Sequence, residues 1–368
     1  MRFKIAISLV ALGLSALLAA PAVSAEEKVV NVYNWSDYIA PDTLEKFTAE
    51  TGIKVNYDVY DSNEVLAAKV QAGDSGYDVV FPSASPFLAQ QLKAGLYRPL
   101  DRARIPNWSG LDPAVMKILA TADPGNAHAV PYMISATGIG FNIDKVKALL
   151  PPGTKLDSWS LLFDPAILSK LKGCGVTFLD TPTEVFPAAL AYLGKNPTSQ
   201  SMDDLNAAAE VATKARPYLK YIHSSKYIND LANGDICLAH GFVGDLVQAR
   251  NRAREAGKEV HIGIIIPNEG AVLGIDSMVI PIDAPHPENA QTFINFIIRP
   301  EIVAAITNTV GYANAVLAAR PLLKPEILAD PVIYPPDDVR AKEFLVPPAS
   351  PDYERARTRA WIKVKTGH

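Results

Sequence analysis

Along the chain from residue 28, apolar positions switch repeatedly between the two-residue period of a strand and the 3.6-residue period of a helix. Lys28 to Tyr33 is rich in valine and predicts a strand. Pro41 to Thr51 places apolar residues at 44 and 47, with Gly52 as a stop, and predicts a helix. Ile53 to Tyr60 carries Ile, Val, Tyr and Val at every second position up to Val59, a strand with one buried face. Asn63 to Gln71 reads as a helix, and Tyr77 to Pro82 as a short apolar strand. Ser83 to about Ala94 reads as the next helix. Ala129 to Asn142, Val176 to Asp180, Ile236 to Phe242, Val260 to Pro267 and Leu273 to Pro281 continue as strands. Between and after them, Leu161 to Leu171, Glu184 to Leu193, Asp203 to Ala215, Gly244 to Ala256, Glu288 to Ile298 and Glu301 to Val310 read as helices.

Strand and helix alternating at this spacing predict an α/β protein whose sheets are mainly parallel and flanked by helices. Proline-flanked extended segments near Val130-Pro131-Tyr132 and Pro267 to Gly270 permit the chain to leave one lobe, build a second and return. The expected division is a first lobe of 26–133 plus 270–310 and a second of 134–269 plus 311–368, joined by a hinge of crossing segments.

Composition changes this picture little. The chain has 368 residues, 49% hydrophobic and 20% charged, which is globular and long enough for two domains. The net charge of −4 comes without a basic stripe, so nucleic acid is not an expected partner. The first 25 residues stand apart. Arg2 and Lys4 precede an apolar run from Ile5 to Ala20, and Val23-Ser24-Ala25 fits a small-x-small cleavage site. Residues 1–25 are therefore expected to be a cleaved signal peptide, which places the mature chain in the periplasm with no insertion into the membrane. Export alters the reading of the two cysteines, Cys174 and Cys237. An oxidising compartment favours a disulfide, the alternative being two small buried apolar groups.

Most catalytic signatures are absent, and the histidines lack metal-ligand spacing, so no cofactor or metal is expected. Gly138-Ile139-Gly140 lacks the third glycine and following helix of a dinucleotide turn. What stands out is a set of carboxylates at strand ends. Asp37 follows the first strand within Val32-Tyr33-Asn34-Trp35-Ser36-Asp37-Tyr38, among three aromatic rings. Glu184 follows Phe178-Leu179-Asp180, and Asp245 follows Phe242-Val243-Gly244. Asp276 lies inside the apolar strand Gly274-Ile275-Asp276-Ser277-Met278. Acids beside rings suit an organic cation, which needs a counter-charge and π faces. Each has a plainer reading too. Asp37 could be a turn residue and Trp35 core; Asp245 could be a helix N-cap and Glu184 a solvated first-turn acid. Tyr312, in the loop after a long helix, could be packing. Asp276 is the hardest to explain plainly, because a lone charge in a buried strand costs several kcal/mol unless paired.

Several longer stretches resemble one family. They include Tyr33-Asn34-Trp35-Ser36-Asp37-Tyr38-Ile39-Ala40-Pro41, Tyr57-Asp58-Val59-Tyr60-Asp61-Ser62-Asn63-Glu64-Val65-Leu66 and Tyr227-Ile228-Asn229-Asp230-Leu231-Ala232-Asn233-Gly234-Asp235-Ile236-Cys237. The endings Tyr334-Pro335-Pro336 and Arg357-Thr358-Arg359-Ala360-Trp361 belong with them. Over essentially the whole mature chain the sequence resembles the periplasmic putrescine-binding proteins of bacterial polyamine ABC transporters. The resemblance implies a type II periplasmic binding fold, closing on a linear polyamine that it hands to a membrane permease. It implies ligand contacts at Trp35, Ser36, Asp37, Tyr38, Ser83, Glu184, Asp245, Asp276 and Tyr312. Two positions depart from the pattern: Phe242 stands where the family carries Trp, and Gly274 where it carries an aromatic. Pro86 after Ser85 is a further departure at the pocket edge. Putrescine is the leading ligand and spermidine an alternative. A monomer is expected, with transport preferred over a sensing role or an exported enzyme on a cationic substrate.

Overall fold

The computed structural model describes residues 26–367. The expected signal peptide, residues 1–25, lies outside them. Its strands are β1 (Val29–Trp35), β2 (Lys54–Tyr60), β3 (Val79–Val80), β4 (Val130–Asn142), β5 (Val176–Phe178), β6 (Tyr221–Ile222), β7 (Leu238–Phe242), β8 (Ile262–Ile265), β9 (Ala271–Met278), β10 (Ala313–Asn314) and β11 (Glu343–Phe344).

Two sheets organise the molecule. The smaller runs β2-β1-β3 and is parallel throughout. The larger runs β11-β9-β4-β7-β5-β6, with β8 and β10 also paired to β4. It is mixed: β5 is parallel to β6 and β7, whereas β4 is antiparallel to β7, β8, β9 and β10. The parallel character expected from the strand–helix alternation is therefore complete in the small sheet and partial in the large one. Antiparallel pairing enters where the chain crosses between lobes.

Local chemistry explains the boundaries. The helix Asn63–Gln71 starts where Ser62 Oγ accepts the Val65 amide at 3.3 Å. The helix Thr43–Thr51 stops at Gly52 in a left-handed conformation, φ 69°. The single helix expected over Leu161 to Leu171 is instead two, Ser160–Phe163 and Pro165–Leu171. Pro165 has no amide to continue the first helix, and Asp164 caps the second by accepting the Ala166 amide.

Packing gathers around two main centres. One buries Val30, Val32, Phe47, Phe81, Tyr132 and Phe293, between the small sheet and the helices Pro287–Ile297 and Pro300–Val310. The other buries Phe141, Trp159, Phe178, Leu205, Leu238 and Trp361. Val316, Ala319 and Leu323 pack into the first centre, and Ile327, Ile333 and Tyr353 into the second. Val316 to Leu323 thus pack with the first centre rather than the second. The reason is the turn at Gly311 and the short β10, which pairs with β4 at Met133 and Ile134. Cys174 and Cys237 are joined in a disulfide across Cα atoms 5.4 Å apart, tying the start of β5 to the start of β7.

The glycines at 138 and 140 have a packing role. A Cβ at Gly140 would press on the Leu246 side chain, and one at Gly138 on the Ile265 carbonyl. They let β4 approach its neighbours closely, which accounts for the Gly-x-Gly pattern without a nucleotide.

Candidate ligand-binding site

The C-terminal end of β1 opens into a cavity of about 550 Å³ between the two centres. Trp35, Ser36, Tyr38, Ser83, Glu184, Phe242, Asp245, Asp276 and Tyr312 line it. They come from the exits of β1 and β3, from β7 and β9, from the first turns of the helices Pro182–Tyr192 and Val243–Glu255, and from the loop after Val310.

Asp276 is held by hydroxyls rather than by a cation. Ser83 Oγ donates to one carboxylate oxygen at 2.6 Å and Tyr38 Oη to the other at 2.7 Å. Ser83 is itself fixed by Asn63, whose Nδ2 donates to its Oγ at 2.9 Å and whose Oδ1 accepts its amide at 3.0 Å. Asp245 receives two tyrosines, Tyr227 Oη and Tyr312 Oη, each at 2.7 Å. The N-cap reading does not hold for it. Phe242 occupies that position, and Asp245, the third residue of the helix, turns its carboxylate to the tyrosines. Glu184 accepts from Thr137 Oγ1.

Burial raises the pKa of all three acids, Asp276 to about 6, Asp245 to about 7 and Glu184 to about 8. Desolvation is the largest cause in each, and the hydroxyl donors only partly offset it. Such groups gain most from a cation that arrives with its own water removed.

Rings form the walls between the acids. Trp35 is anchored by its indole N–H, which donates to the Phe81 carbonyl at 2.8 Å, and its ring lies edge-on to Phe242 at 6.0 Å. Tyr38 and Tyr312 meet edge to face at 4.6 Å. Gly244 makes room for Tyr312, since a Cβ there would overlap the tyrosine ring. Gly274 leaves the wall open: a Cβ would meet only the Ser135 carbonyl, at 3.7 Å.

One expected residue does not reach the cavity. Asp37 adopts a left-handed backbone, φ 56°, which swings its side chain out of the strand exit. Its carboxylate meets Arg252 at 2.6 Å, and its carbonyl accepts from Gln248 Nε2 at 3.1 Å. The fourth carboxylate on the cavity wall is Asp61. It follows β2 just as Asp37 follows β1, and β1 and β2 end side by side, Trp35 opposite Tyr60. The strand-exit rule applied to β2 would have found it. Ser224, whose hydroxyl bonds to the Asp180 amide and to Thr181, and the β4 residues Ser135 and Thr137 also line the cavity; no sequence signal marked them. Among the described residues no cluster of His, Cys, Asp and Glu is arranged to hold a metal ion.

Two lobes meeting at a hinge, with a cavity of acids and rings between them, define a solute-binding protein. The chain belongs to the family of bacterial extracellular solute-binding proteins, whose pattern it matches over residues 42–334. It is 53% identical to the putrescine-binding periplasmic protein SpuD of Pseudomonas aeruginosa over 360 residues, 98% of each chain. It is also 53% identical to the putrescine-binding periplasmic protein PotF of Escherichia coli over 346 residues, 94% of this chain and 93% of that one. Among solved structures, a putative spermidine/putrescine ABC transporter protein of Listeria monocytogenes superposes with a TM-score of 0.83 at 30% identity. That match covers 93% of this chain and 100% of the other.

Proposed function

We propose that this protein captures a linear polyamine, putrescine first, in the periplasm and presents it to the permease of an ABC importer. The observation that carries the reading is the set of three acids, Glu184, Asp245 and Asp276, whose pKa values burial holds well above the ordinary carboxylate range. A buried carboxylate facing a cavity gains from an ammonium what water no longer supplies. A diamine carries one such group at each end, and its methylenes fit against Trp35, Tyr38, Phe242 and Tyr312. Asp276 lies on the returning strand β9 and takes its hydroxyl partners from the first lobe; Glu184 and Asp245 start helices of the second. A ligand touching both sets favours the closed arrangement, and that differential contact drives closure about the hinge. The relatives described as putrescine-binding support the same ligand class. No bond is made or broken in this function, and one molecule suffices for it.

The open wall at Gly274 and the smaller ring of Phe242 support a broader ligand range than a diamine alone, spermidine included. Calorimetric titration of the mature protein with putrescine, spermidine, spermine, cadaverine and agmatine tests the proposal. Saturable one-to-one binding of at least one supports it; no binding of any at micromolar concentration ends it.

A further inference from the structure

The hinge ribbon has two faces, and each covers a cavity. Paired strand residues share a face and successive residues alternate. Thr137 on β4 and Gly274 and Asp276 on β9 accordingly line the polyamine cleft. Ile134 and Leu273 line the rear, while Ser135 and Ala136 border both cavities. Behind the ribbon lies a second cavity of about 600 Å³, bounded by Ile134, Ala136 and Leu273 and closed by β10 and the segment 332–343.

Its polar lining has a definite chemistry. Arg320 and Arg340, from separate segments, both border it, and among the described residues neither guanidinium is ion-paired. Arg320 lies over the Tyr334 ring at 5.8 Å, which holds the guanidinium in place. Two carboxylates also border the cavity. Asp112 is occupied, its Oδ1 accepting the Ala114 amide at 2.8 Å to start a helix. Burial pushes Glu343 up to about 7, against the opposing pull of Arg340, so it is only partly charged at neutral pH. The remaining wall is mixed: Leu273, Val316 and Ile333 are apolar, and Ser135 and Asn314 are polar. Two guanidinium forks from separate segments, each able to match a carboxylate, suit a short-chain dicarboxylate.

We propose that this rear cavity binds a small organic dicarboxylate between Arg320 and Arg340, and that its occupancy favours closure of the polyamine cleft. The coupling follows from the ribbon. The rear cavity is present in the arrangement where the lobes already meet through Asp37 and Arg252. Hinge motion that opens the front must move the same strands that wall the rear. A ligand that fits the rear in this arrangement stabilises it, and by reciprocity each ligand tightens the other by the same factor.

The experiment begins without any polyamine, so it stands whether or not the polyamine reading does. The mature protein is titrated calorimetrically with succinate and glutarate, with acetate as the single-carboxylate control. Saturable one-to-one binding of a dicarboxylate, tighter than acetate, is expected. It should weaken by roughly tenfold or more in R320A and in R340A, the loss of one charge-assisted pair. Both arginines are exposed, and unchanged melting of the variants checks that they fold. Absence of saturable binding, or binding that persists in R320A/R340A, overturns the site. A second titration with putrescine, with and without saturating succinate, reads the coupling: equal mutual tightening supports it, and unchanged affinity removes it.

Discussion

Asp37 and Arg252 lie 215 positions apart and form an ion pair at 2.6 Å across the cleft. Both side chains are about one-third exposed, 39% and 33%. The pair is thus a clasp at the cleft mouth, apart from the acids that line the cavity. Exposed pairs contribute about 0.2–1 kcal/mol. Asp37→Asn is expected to weaken putrescine binding only a few-fold, mainly through faster dissociation, and less so in high salt. Stopped-flow release rates at two salt concentrations check this; a hundredfold loss would place Asp37 in the site after all.

Asp276→Asn should behave in the opposite way. Removing one partner of a buried charge pair costs about 3–5 kcal/mol, so affinity should fall by more than about a hundredfold. The free protein should gain stability, because Asp276 is held up to about 6 by burial and the neutral amide escapes that cost. Calorimetry and ligand-free thermal melts read the two effects together. A variant that loses affinity and also melts lower would mean that Asp276 is mainly a structural residue.

The three raised pKa values give a pH dependence whose sign can be worked out. In the free protein Asp276, Asp245 and Glu184 titrate near 6, 7 and 8, above their ordinary values of 3.8, 3.8 and 4.5. Between the ordinary and raised values the folded state holds more protons than the unfolded state, so stability falls as pH rises from about 4 to about 8. Ligand binding runs the other way. A cation binds the ionised acids, so affinity should rise over about pH 5 to 8, with protons released on binding. Titrations in buffers of different ionisation enthalpy count those protons; none released at pH 6 would contradict the assignment.

Gly274 and Phe242 both line the cavity. A Cβ at 274 would meet only the Ser135 carbonyl, at 3.7 Å. Gly274→Phe combined with Phe242→Trp should narrow the cavity and raise the putrescine-to-spermidine affinity ratio, by roughly tenfold if each added ring contributes about 0.5–1.5 kcal/mol. An unchanged ratio would show that specificity resides in the acids alone.

Gly244 tests how Tyr312 is positioned. A methyl at 244 would overlap the ring that donates to Asp245. Gly244→Ala should cost about 1–3 kcal/mol of stability through overpacking and lower affinity as the Tyr312 hydroxyl leaves Asp245. Tyr312→Phe, which keeps the ring and loses the hydroxyl, separates the two contributions when compared by melting and calorimetry.

Much of this protein was determined within short windows of the chain. The alternation of periods placed the elements, since a strand or helix declares its buried face within about a dozen residues. Strand ends marked Glu184 and Asp245, and the interior of an apolar strand marked Asp276, because a charge beside or within a buried strand must find a partner. Local pattern did not reveal the break at Asp164-Pro165, although the proline was visible there. It did not mark the ion pair of Asp37 with Arg252, and it passed over Asp61. These two acids follow adjacent parallel strands and look alike in sequence. Only the tertiary structure separates them: a left-handed backbone turns Asp37 outward to an arginine brought from the other lobe, while Asp61 stays on the cavity wall. The same holds for the hydroxyls of Tyr38, Ser83, Tyr227 and Tyr312, and for the rear cavity behind β4 and β9. Element type follows from neighbours in the chain, whereas the partner of a buried charge follows from how two lobes meet, and that contact joins residues some two hundred positions apart.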